Sequence, residues 1–196
     1  MKRHAEIHRE TKETQIEVEL TIDGKGLADI QTGVGFLDHM LTLFAAHGFF
    51  DLRISAKGDL HIDAHHTVED IGICMGKAFS QALGEFKGIA RYGFFLLPME
   101  ESIAQVALDL CKRPFLVFHA QFPSSKIGEF DAELVEEFLR AFAFNAGITL
   151  HVHVIYGRNS HHMAEAIFKG LGRAMDIATR YDTRLEGSTM STKGVL

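Results

Sequence analysis

The sequence predicts a mixed α/β (α+β) chain built by internal duplication, two similar halves packed as one domain, and three observations carry that reading. Segments that alternate apolar and polar residues interleave with segments of helical period. A His-His-x-x-Glu motif occurs twice, from His65 to Glu69 and from His161 to Glu165, 96 residues apart. The helices upstream of the motifs also align. His39-x-Leu41-x-x-Phe44-Ala45 matches Glu137-x-Leu139-x-x-Phe142-Ala143 at an offset of 98, so two residues of gap absorb the difference.

The elements follow in order. Residues 3–10 and 14–22 alternate as strands, and Asp23-Gly24 turns the chain. A helix is predicted from about Phe36 to Ala46, with Leu37, Met40, Leu41 and Phe44 on one face. A strand spans 49–57 before Gly58-Asp59, and a long helix runs from about His66 to Glu85 with Val68, Ile71, Cys74, Met75 and Phe79 at helical spacing. In the second half, 91–98, 102–110 and 113–122 read as strands, and Pro123, Ser124, Ser125 and Gly128 mark a loop. A helix over about 131–145 takes Asp131 as its cap, 148–157 is a strand, and a last helix starts near Ser160 and reaches about Tyr181. No linker separates the halves, about 1–90 and 91–186, and the small, polar tail 187–196 is either flexible or ordered by a ligand.

The 196 residues are 46% hydrophobic and 23% charged, as in a globular protein rather than a disordered one. A net charge of −6 argues against a nucleic-acid partner, which needs a basic face, though it leaves room for a local anion pocket. The polar N-terminus lacks a signal-peptide core, and no run of 18 apolar residues exists to span a membrane. Cys74 and Cys111 form no CxxC pair, which fits free thiols in a reducing compartment, so the expected location is cytoplasmic.

The chemistry is concentrated in the histidines. On a helix, i and i+4 share a face while i and i+1 diverge by about 100°. His65 and Glu69 therefore address one metal and His66 another, and His161, Glu165 and His162 repeat the arrangement. Six donors leave two four-ligand sites short by one each, and the aligned helix positions His39 and Glu137 are candidates to fill them, shared across a repeat or subunit boundary. Imidazoles with a carboxylate suit manganese, iron or zinc better than calcium or magnesium. A second group looks anion-binding: Arg91, Arg113, Lys169 four residues after Glu165, and Ser191, Thr192 and Lys193 of the tail, which combine cationic and hydroxyl donors as phosphate sites do. A dinuclear hydrolase of a phosphorylated small molecule and a non-catalytic metal-storing assembly both fit these residues; freed phosphate would mark the first, metal saturation without turnover the second.

Nearly the whole chain resembles the imidazoleglycerol-phosphate dehydratase family of histidine biosynthesis. The resemblance lies in RETKET (9–14), TGVGFLDHML (32–41), HGFFDL (47–52), GDLHIDAHHTVEDIGI (58–73), RYG (91–93), NSHHMAEAIFKG (159–170) and STKGVL (191–196). It implies a helical layer sandwiched between two four-stranded mixed sheets, two manganese ions per active site, and a homo-oligomer of 24 subunits built from trimers with active sites between subunits. It implies metal ligation by His39, His65, His66, Glu69, His161, His162 and Glu165. The eighth ligand position, usually His in the family, falls on Glu137, and Glu100 stands where the family more often has Asp. Contacts to a phosphorylated imidazole substrate are implied for Glu13, Arg91, Arg113, Lys169, Ser191 and Lys193. The implied reaction is dehydration of imidazoleglycerol phosphate, with Glu13 the candidate for proton transfer.

Overall fold

In the computed structural model, which describes residues 3–194, the chain opens with a hairpin. Its strands, β1 (His4–Glu10) and β2 (Thr14–Thr21), pair antiparallel with Ile7 opposite Val18. Alternation decides which face of β2 goes inward: Ile16, Val18 and Leu20 are buried, while Gln15, Glu17 and Glu19 face out. Next come β3 (Ala28–Gln31), α1 (Gly35–Gly48), β4 (Asp51–Gly58) and α2 (His65–Leu83). β4 joins β2 antiparallel and takes β3 parallel on its other edge, giving the order β1-β2-β4-β3.

The second half repeats this plan. Its elements are β5 (Tyr92–Met99), β6 (Ser102–Leu110), β7 (Phe115–His119), a small hairpin of β8 (Lys126–Ile127) and β9 (Phe130–Asp131), α3 (Leu134–Ala146), β10 (Ile148–Tyr156) and α4 (Ser160–Thr179). The sheet order is β5-β6-β10-β7, with two antiparallel pairings and one parallel pairing in the same places. Among the strands of the described residues, β8 and β9 alone lack a counterpart. The predicted pair of four-stranded mixed sheets with helices between them is the observed architecture.

The helices exchange partners between halves. α2 lies on its own sheet and packs against α3, while α4 lies on the second sheet and packs against α1. Glycine makes both crossings close. A Cβ at Gly76 of α2 would sit 2.6 Å from the Phe142 carbonyl and 2.9 Å from the Ala146 nitrogen of α3. A Cβ at Gly172 of α4 would sit 2.6 Å from the Phe44 carbonyl and 3.1 Å from the Gly48 nitrogen of α1. Gly76 and Gly172 are 96 residues apart, so the duplication extends to the contact atoms. Phe44, Phe79, Phe142 and Phe168 fill the space between the helices.

Several predicted boundaries move. β3 was not expected; it is a four-residue edge strand whose side chains are mostly exposed, so it lacks the alternation of a half-buried strand. The strand predicted from 49 starts at Asp51, because Phe49, at φ 57°, ends α1 and Phe50 N–H donates to the Ala45 carbonyl. Asp131 is not a helix cap: it pairs with Lys126 in the small hairpin, and α3 begins at Leu134 behind Glu133 with no side-chain cap. α4 stops at Thr179 because Arg180 is extended. Met190 of the tail is held by Arg91 and Ser188 by Gly88, whereas Val195 and Leu196 of the STKGVL segment lie outside the described residues.

Candidate metal centre and active site

α4 sets out the clearest part of the site. Asn159 caps it, its Oδ1 accepting from the backbone N–H groups of His161 and His162 at 2.9 and 3.4 Å, so both histidines lie in the first turn and Glu165 one turn further on. The two imidazole planes stand at 83° to each other, and those of His65 and His66 at 88°, so adjacent histidines diverge in both motifs as the spacing requires. His161 Nε2 is 3.1 Å from Glu165 Oε1. From α1, across the close contact at Gly172, His39 Nε2 reaches the same oxygen at 2.9 Å. Lys169 Nζ donates to Glu165 Oε2 at 2.6 Å. Burial by itself would raise the Glu165 carboxyl, but hydrogen bonds from Lys169, His39 and His161 outweigh it and hold the pKa at about 2. Ligand atoms of His39, His161 and Glu165 all lie within 4.8 Å of one another. Two imidazoles and an ionised carboxylate at that separation fit a manganese, iron or zinc ion.

The first-half motif is built differently. His66 Nδ1 is 2.9 Å from Asp59 Oδ2 and 3.9 Å from Glu13 Oε2. Glu13 sits in the β1–β2 turn, where Thr11 Oγ1 accepts from the N–H groups of Glu13 and Thr14. That turn is fastened to α2 through buried Asp70, which accepts from Arg9 Nε at 2.9 Å and from Thr14 Oγ1 at 2.5 Å. The RETKET segment is thus a clamp that carries Glu13 to His66. Among the described residues, no cluster of three donors contains His65, Glu69 or Glu137, and the Glu137 carboxylate lies 3.9 Å from Arg140.

Two carboxylates that the sequence reading passed over sit behind the histidines. Asp59 holds His66, and Glu101 Oε2 is 2.7 Å from His162 Nδ1, with Glu100 further off at 4.0 Å. The hydrogen bond to Asp59 raises the pKa of His66 and that to Glu101 raises His162; the same bonds lower both carboxyls. The only signals in sequence were an aspartate and a glutamate in turns, which turns commonly carry.

The anion-seeking residues divide. Arg91, Arg113, Ser191, Thr192 and Lys193 line one cleft of about 570 Å³ together with Tyr92 and Met190. Arg91 forks onto Asp109, with Nε at 2.6 Å and Nη2 at 2.9 Å, and its third nitrogen donates to the Met190 carbonyl. It therefore ties the tail to β6, while Arg113, largely exposed, approaches Asp109 only to 3.8 Å. Lys169 does not line this cleft; its ammonium is on Glu165.

Relatives in sequence and in fold carry one and the same name. The imidazoleglycerol-phosphate dehydratase family pattern matches residues 32–175. Imidazoleglycerol-phosphate dehydratases of Trichlorobacter lovleyi and Acetivibrio thermocellus are each 60% identical over 196 residues, covering all of both chains. The crystal structure of the dehydratase from Staphylococcus aureus superposes with a TM-score of 0.83 at 42% identity, covering 91% of this chain and 99% of that one. That of the Pyrococcus furiosus enzyme, in complex with (S)-C348, gives 0.84 at 38% identity, covering 97% and 100%.

Proposed function

The chain belongs to the imidazoleglycerol-phosphate dehydratase family, hydro-lyases of histidine biosynthesis, and from that premise we propose that it removes water from imidazoleglycerol phosphate to give imidazole-acetol phosphate with two manganese ions at sites completed between subunits. The observation that carries the metal part is the meeting of His39, His161 and Glu165, donors from both halves of the chain, around one point. The remaining ligands are His65, His66, Glu69 and His162, with Glu137 at the eighth position. When bound, the ions supply Lewis acidity that stabilises the substrate imidazole in its deprotonated form.

The chain's own residues do the rest. Glu13, at the tip of its clamped turn beside His66, moves the proton from the carbon next to the leaving hydroxyl. Arg113, Ser191, Thr192 and Lys193 hold the phosphate, Arg91 orders the tail that brings three of them, and Lys169 both neutralises Glu165 and adds positive charge near it. Within one chain, no donor cluster among the described residues mixes the two His-His motifs, and Lys169 stands outside the cleft of the other phosphate residues. Both facts support assembly of the site from neighbouring copies in a homo-oligomer, for which we take trimers that join into 24 subunits. No helix among the described residues is long and apolar enough to cross a membrane, and the proposed location is the cytoplasm.

The test is turnover of imidazoleglycerol phosphate by the purified chain with and without manganese, with metal analysis and light scattering alongside. Manganese-dependent ketone formation with phosphate retained supports the proposal. Release of phosphate would replace it with a dinuclear hydrolase, and particle mass that stayed constant after complete metal removal would overturn the shared site.

A further inference from the structure

The second histidine of each motif has a carboxylate on its Nδ1, and the two carboxylates are not related by the duplication. Asp59 precedes His66 by seven residues; the residue seven before His162 is Ile155, which cannot do the same task. Glu101 supplies it instead, from the β5–β6 turn. In the first half the corresponding β1–β2 turn carries Glu13, whose carboxylate is a full ångström further from the ring than that of Asp59. The same contact has been built twice from different elements, which points to a requirement of the site rather than an inheritance of the fold.

We propose that Asp59 and Glu101 are positioning residues that lock His66 and His162 in the Nδ1–H tautomer, so that each Nε2 lone pair is presented for coordination. The inference rests on the metal reading above. A carboxylate is only an acceptor, so a neutral ring bonded to it must carry its hydrogen on Nδ1 and its lone pair on Nε2. Glu101 is held for this: its Oε1 accepts from the backbone N–H groups of Arg158 and Asn159 at 3.1 and 2.8 Å and from Ser102 Oγ at 3.0 Å, leaving Oε2 aimed at the ring. Asp59 is less constrained, since its Oδ1 is buried without a partner.

That difference makes a decisive variant. In Glu101→Gln the amide oxygen stays with the two backbone N–H groups, so its NH2 must face His162 Nδ1, which then has to accept, and the hydrogen moves to Nε2. The loop keeps its hydrogen bonds while the lone pair is turned away. Asp59→Asn can still present its oxygen to His66 and is milder; Asp59→Ala removes the orientation altogether. Manganese binding is read on the full-length chain at fixed neutral pH from the free-ion resonance signal, with melting of the metal-free protein as a folding control. Glu101→Gln is expected to stay folded at the assay temperature, its metal-free melting lowered only by the lost ion pair with His162, yet bind one of two manganese ions about 10–100-fold more weakly, with Asp59→Asn affected less than Asp59→Ala. Two wild-type affinities in Glu101→Gln would overturn the proposal and leave Glu101 as a loop staple. A wild-type chain that takes up no manganese would overturn the metal reading itself, and this inference with it.

Discussion

Gly172→Ala tests whether the helix crossing sets the geometry of the donors. The added Cβ would lie 2.6 Å from the Phe44 carbonyl, and ordinary contact begins at 3.4 Å, so α1 and α4 must part locally by about 0.8 Å. Overpacking of this kind costs about 1–3 kcal/mol, and alanine returns about 1 kcal/mol of helix propensity, for a net loss of about 0–2 kcal/mol. A chain of this size loses roughly 2–4 °C of Tm per kcal/mol, so the melting temperature should fall by no more than about 8 °C. The functional effect should be larger. His39 rides on α1 and Glu165 on α4, and their 2.9 Å contact cannot absorb most of an ångström. Misplacement on that scale costs on the order of 10²-fold in rate. Turnover and manganese affinity should therefore fall together in a protein that is still folded at assay temperature. Gly35→Ala, which meets nothing within 4 Å, should leave both unchanged. Wild-type turnover in Gly172→Ala would refute the argument that this crossing positions the site.

Arg113→Ala should raise KM by about 10–150-fold, the loss of one charge-assisted phosphate contact worth about 1.5–3 kcal/mol, and leave the melting temperature unchanged because the side chain is exposed; an equal loss on a phosphate-free analogue would refute a phosphate role. Cys74 is fully buried, and burial pushes its thiol up to about 11, so the native chain should take no alkylating label there near pH 8, while labelling of Cys74 before unfolding would contradict its placement. His66 and His162 have raised pKa values, so in the metal-free fold the stability of their ion pairs is fully present below the ordinary histidine value of about 6.5 and is lost as pH rises through the raised values. Manganese needs neutral imidazoles, so its stabilisation grows over the same rise. Melting temperature against pH should slope down in chelator and up in excess manganese, and parallel curves would contradict this.

The duplication was legible because it is written in residues whose spacing a helix enforces. His161 and Glu165 meet since four residues make about one turn, and the divergence of adjacent histidines follows from the same geometry. The partner of His39 was not legible. Alignment equates it with Glu137 but does not say against which helix α1 will pack, and it packs on the α4 of the other half, where Glu165 lies. Asp59 and Glu101 were hidden for a related reason: their partners are fixed by where two turns end in space. The Asp131 cap failed because Asp and Asn favour turns and hairpins as much as helix starts, and here the hairpin with Lys126 took it. Phe49 and Phe50 looked like the start of a strand because aromatic pairs usually extend; the left-handed turn at Phe49 is a tertiary choice that brings Phe50 against Phe44 and Phe79.

The exchange of helices between halves has a consequence for the unit of folding. Each sheet is covered by the second helix of its own half, but the first helix of each half finds its closest partner only in the other. A half standing alone would leave the glycine-lined face of one helix and the matching ridge of the other open to water. Two copies of the same half, related by a twofold axis, would close both seams at once, α1 of one on α2 of the other and the reverse. The chain is in this sense a covalent homodimer. Its central donor set of His39, His161 and Glu165 lies across the seam where the two halves meet, so splitting the polypeptide near residue 90 would divide that donor set along with the core.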